Sequence, residues 1–133
     1  MRDLNYPVLP SLDEIRAWAF DRNAKYPCQD WDIINFTNIG NVERTKLVLA
    51  LAADPECPKR EAFVHFLYCL AGQVFRNGYR ELEVRGLRVA IDEAADSANE
   101  AVREWAAEAT SLLNREKRFI YAHWFIRRPK RKS

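Results

Sequence analysis

Apolar residues recur at three- and four-residue spacing through most of this chain, most densely over residues 58–77, PKREAFVHFLYCLAGQVFRN. Phe63, Phe66, Leu67, Leu70, Val74 and Phe75 make one stripe, and Tyr68 and Cys69 widen it beyond what a surface helix carries. Pro58 suits a first helical turn, and Gly78 suits the left-handed residue that closes a helix. The pattern predicts a helix over 58–77 that is buried on most sides, with the other elements laid around it.

The same spacing, taken in chain order, predicts the rest. Residues 1–10 contain Pro7 and Pro10 and read as an extended lead-in. Ser11 with Glu14 is a capping box, so a first helix is expected over 12–25, with Leu12, Ile15, Trp18 and Ala19 inward and Tyr26-Pro27 as its stop. Between Cys28 and Gly40 the apolar positions satisfy a short helix begun by Asp30 as well as an extended segment, and a helix of about eight residues is the reading adopted. Asn41 can cap a helix over 42–53, carrying Val42, Leu47, Leu49 and Leu51, which Asp54 and Pro55 end. After Gly78, Val84, Leu87, Ile91 and Ala94 share one face of a further helix. Gly86 in its middle marks either close packing or local weakness. Ser97 with Glu100 repeats the capping box and starts a last helix with core face Val102, Trp105, Ala109, Leu112 and Leu113. Ile120 and Trp124 extend that stripe, which predicts continuation to about residue 126 with a kink near Asn114.

The fold class expected is therefore all-α: a single compact bundle of five or six helices, forming a domain over 1–126 with a basic flexible tail over 127–133. At 133 residues, 48% hydrophobic and 30% charged, the chain is long enough to bury its own core and too apolar for disorder. The amino terminus lacks the apolar core of a signal peptide, and no run approaches the roughly 20 apolar residues of a membrane span. Three cysteines, Cys28, Cys57 and Cys69, are an odd number in a chain that needs no staples. Reduced thiols and a cytoplasmic location are the expectation.

The turn LALAADPECPKREAFVHFLYCLAG locally resembles a HEAT-type repeat, in which an apolar helix meets Asp-Pro and a second helix with a basic start. No second copy aligns, and an antiparallel helix pair with a short loop accounts for the same features.

Catalytic parts are scarce. Cys57, Glu61, His65 and Cys69 recur every four residues, but the whole row spans about 18 Å, too far to share one metal. Neither CxxC nor HExxH supplies further ligands, so no metal and no cofactor is expected. His65 or His123 would need a carboxylate or nucleophile as a neighbour to act as a base. Ser11 and Ser97 are accounted for as caps, and no glycine-rich phosphate loop exists. No catalytic residue is assigned.

Charge remains informative. Formal net charge is only +2, yet residues 115–132 hold eight bases and one acid, leaving 13 bases against 18 acids before them. An acidic body bears a basic tail. Within the body Asp92, Asp96, Glu100, Glu104 and Glu108 recur every four residues across a helix junction, where like charges repel. The functional expectation is a non-catalytic protein-binding module, an inhibitor or immunity-type partner of, for instance, a bacterial toxin or nuclease. The acidic row would meet a basic protein. The alternative is nucleic-acid association through Arg127, Arg128, Lys130, Arg131 and Lys132, and the third reading is an enzyme with a site around His65. Membrane contact through the tail is the least favoured.

Overall fold

A computed structural model describes residues 11–23, 39–115 and 118–125. Among them run six helices and no strand: α1 (Leu12–Phe20), α2 (Val42–Ala53), α3 (Arg60–Arg76), α4 (Glu81–Ala95), α5 (Glu100–Leu113) and α6 (Tyr121–Phe125). The lead-in, the segment around Cys28, Asp30 and Trp31, and the basic tail lie outside the described residues.

Helix α3 is the centre. Eleven of its 17 residues are buried, because its apolar arc covers most of its circumference. It packs against α2, α4, α5 and α6, while α1 lies on α2. Trp18 of α1 also reaches α3, its ring 5.7 Å from Phe63 and 6.3 Å from Phe66. Both ends of α3 follow from local chemistry. Gly78 takes φ +77°, and the N–H groups of Gly78 and Tyr79 donate to Phe75 O and Val74 O, the paired bonds of a Schellman cap. At the start Pro58 and Lys59 form the turn, so the first regular residue is Arg60.

The caps read from sequence hold for α1 and α2. Ser11 Oγ accepts from Glu14 N at 3.1 Å while Ser11 N donates to Glu14 Oε1 at 3.0 Å. Asn41 Oδ1 accepts from Arg44 N at 3.1 Å. Helix α1 is shorter than its pattern suggested, ending at Phe20 with Asp21 as its cap. The ammonium of Lys59 explains the early stop. It donates to Trp18 O at 2.7 Å and to Asp21 O, and lies 4.8 Å from the Trp18 ring centre. A cation thus occupies the negative end of the α1 dipole.

Two expectations for the last third need correction. The cap of α5 is Asn99, whose Oδ1 accepts from Val102 N at 3.2 Å; Ser97 Oγ instead accepts from Asn99 N and shapes the connector. Nor does α5 continue to residue 126. It ends at Leu113, Arg115 takes φ +57°, and α6 is a separate short helix. The expected kink near Asn114 is a break. Breaking there lets Trp124 and Phe125 turn onto α3, where both are buried, while Ile120 stays 56% exposed.

Two glycines make these contacts possible. A Cβ on Gly72 would lie 2.5 Å from the Phe125 ring and 2.9 Å from Trp124 Cβ, so α6 sits in a notch on α3 that only glycine leaves open. A Cβ on Gly86 would lie 2.3 Å from Ile39 O, which settles its role as close packing. No described helix is long and apolar enough to cross a membrane.

Candidate functional site

The α4–α5 hairpin gathers the acidic row at its tip, since a connector of four residues joins helices packed along each other. Asp92 and Asp96 come from the end of α4, Glu100 and Glu104 from the start of α5, and all four are exposed. Among the described residues no base lies within ion-pair distance of any of them. Arg103, the nearest base in sequence, donates instead to Ser97 O at 2.8 Å. Glu93 at this end is paired, with Lys46 of α2 at 3.9 Å. Local fields oppose part of the arrangement. Asp96 caps the negative end of the α4 dipole, and Glu100 and Glu104 repel one turn apart, whereas Glu100 in the first turn of α5 is favoured.

Glu108 leaves the row. It is half-buried, its Oε2 accepting from the Tyr68 hydroxyl and its Oε1 lying 3.2 Å from His123 Nε2. The Tyr68 and His123 rings meet edge to face at 5.2 Å. Helices α3, α5 and α6 are joined at one carboxylate. A phenol, a carboxylate and an imidazole can pass a proton among themselves, but no hydroxyl or thiol nucleophile contacts the set in the described residues. Sequence reasoning weighed His123 as a base in need of a carboxylate and missed that Glu108 supplies it. The partners stand 40 and 15 residues from Glu108, and no spacing rule links them.

His65 and Cys69 face inward on α3. Cys69 Sγ lies 3.6 Å from His65 Nε2, and His65 is 7% exposed. Cys57 precedes the helix, its thiol directed at Ala19 O at 3.8 Å. Burial pushes the Cys57 thiol pKa up, partly offset by the Lys59 N–H. Burial likewise pushes the Lys59 ammonium down, against the pull of Asp21 and Cys57. Among the described residues no group of three or more His, Cys, Asp or Glu could hold a metal ion.

The other charged feature lies at the far end of α5. The rings of Tyr79, Phe75, Phe119, Phe125 and Tyr121 form a continuous chain, each centre 4.0–6.2 Å from the next. Arg115 lies over Tyr79 at 4.8 Å, and Arg76 lies over Phe125 at 5.2 Å and Tyr121 at 5.8 Å. The tail bases Arg127, Arg128, Lys130, Arg131 and Lys132 follow in sequence but lie outside the described residues. A separate cleft is lined by Gly40, Asn41, Val42 and residues 80–83, with no cluster of catalytic side chains on its walls. No protein-family model matches the chain, and no curated protein or solved structure matches it either, so the HEAT-like turn remains a local likeness.

Proposed function

We propose that the chain is a non-catalytic protein-binding module that docks a basic protein on the tip of the α4–α5 hairpin, as an inhibitor or neutralising partner would. The observation that carries this reading is the set of four exposed carboxylates, Asp92, Asp96, Glu100 and Glu104, with no base in reach among the described residues. Some charges elsewhere are held by the fold, Lys59 by two carbonyls and Glu108 by a phenol and an imidazole. Carboxylates left unneutralised and partly against the helix dipole speed encounter with a positive surface and select it. Rigid helices present them, so little ordering entropy is lost on docking.

The test is capture from a nuclease-treated native lysate of the source organism. Wild-type protein is compared with Asp92→Asn/Asp96→Asn/Glu100→Gln/Glu104→Gln. The reading expects one stoichiometric basic protein on the wild type and its loss from the variant. Equal retention by both, or no retained protein, would contradict it.

A further inference from the structure

At the end of α5 away from the acidic tip, two arginines are laid on aromatic rings instead of being paired with acids. Arg76 lies 5.2 Å from the Phe125 ring centre and 5.8 Å from that of Tyr121, and Arg115 lies 4.8 Å from that of Tyr79. Arg118, exposed, lies between Arg115 and α6 in sequence. Among the described residues no carboxylate lies within ion-pair distance of any of the three. A guanidinium beside a ring and not held by a carboxylate can offer its N–H groups to a phosphate, whose oxygens they match two at a time.

The rings beneath are not all covered. Tyr121 is 44% exposed, Phe75 36%, and Ile120 beside them 56%. Backbone conformation points to the same place. Tyr79 and Arg115, at φ +58° and +57°, are the non-glycine residues at positive φ among those described, and they are in contact. Both follow a helix end, where the left-handed conformation is a usual close: Tyr79 N donates to Val74 O and Arg115 N to Leu112 O. Here they fix a ring and the arginine above it.

We infer that this arginine–aromatic face binds single-stranded nucleic acid, phosphates on Arg76, Arg115 and Arg118 and unstacked bases on Tyr121 and Phe75. Charge complementarity selects a polyanion. The exposed rings select a single strand, because a duplex keeps its base faces stacked and out of reach. The inference concerns a different surface from the acidic tip and does not depend on it.

The experiment measures fluorescence anisotropy of a labelled oligothymidylate of about 20 nucleotides with the full chain, over a series of salt concentrations. A duplex of equal length and phosphatidylserine vesicles serve as comparison probes. Tight binding of the single strand is expected, weaker binding of the duplex, and a steep loss with salt. Arg76→Gln/Arg118→Gln should weaken binding about tenfold and flatten the log–log salt slope by about 1.4, at roughly 0.7 per phosphate contact. Tyr121→Leu should weaken it about fivefold or more with the slope unchanged, a signature that charge alone would not give. Far-UV circular dichroism checks that both exposed-site variants remain folded. No binding of the oligonucleotide, equal binding of the duplex, binding of vesicles alone, or indifference to both variants would each overturn the inference.

Discussion

The two ends of α5 carry opposite charge under opposite constraints. At its start Glu100 and Glu104 stand in solvent beside Asp92 and Asp96, with no base in reach among the described residues and, for Asp96, against a helix dipole. At its far end Arg115 lies on Tyr79, and nearby Arg76 lies on Phe125 and Tyr121, so the positive charge is fixed by packing. Between them Glu108 has two partners and belongs to the interior. One helix thus holds three environments for charge. Removing charge should be harmless or stabilising at the acidic tip, destabilising in the middle, and costly to packing at the far end.

The largest expected effect disrupts the far end alone. Gly72→Ala places a methyl where Phe125 and Trp124 now sit, and Trp124 Cβ cannot rotate away. Overpacking of this kind costs about 1–3 kcal/mol, and α6 should lift from α3. Denaturant unfolding and Trp fluorescence would register both, while partner capture by the acidic tip should survive. Unchanged stability would mean that α6 is not seated in the notch.

Of similar size is a contrast one turn apart. Glu108→Ala removes the hydrogen bond from Tyr68 and the contact with His123 that join α3, α5 and α6, and should cost about 1–3 kcal/mol. Glu104→Ala, on the solvent side of the same helix, should change stability by no more than about 0.5 kcal/mol. Equal losses would erase the distinction between the two carboxylates.

Smaller still, Asp96→Asn removes a negative charge from the C-terminal end of α4 and should stabilise by about 0.3–1 kcal/mol. A loss on thermal unfolding would show that the carboxylate has a favourable role in the fold. The smallest effect is pH-linked. Burial raises the folded-state pKa of Cys57, so its contribution is fully present below about pH 8.5 and declines as the unfolded thiol ionises above that. Lys59, lowered by burial, has the opposite slope, favouring the folded state as pH rises towards about 10.4. Cys57→Ala should therefore gain on the wild type as pH rises above about 8.5, and a parallel pH profile would contradict the assignment.

Much of this architecture is legible in the sequence because it is local. The Ser11–Glu14 box, the Asn41 cap, the bounds of α2 and the Gly78 stop all act within five residues, and hydrophobic spacing identifies α3 as the buried helix. The acidic tip is legible for the same reason. What escapes is carried across the chain. Helix α1 ends where Lys59, 41 residues from Trp18, takes its carbonyls. Ile120 and Trp124 continue the α5 stripe in register, so periodicity cannot reveal the left-handed Arg115 between them. Ser97 and Asn99 are rival caps two residues apart, and only the bond to Val102 decides. Glu108 belongs to its row by spacing and to Tyr68 and His123 by contact.

The most direct test of the central claim is isothermal titration of the captured protein partner with wild type and with Glu100→Lys/Glu104→Lys. Both proteins must be shown to unfold at similar temperature. The acidic-tip reading predicts that charge reversal weakens binding by tenfold or more, about 1.4 kcal/mol, and that added salt narrows the difference. Equal affinities at low salt would contradict it and remove the hairpin tip as the contact surface.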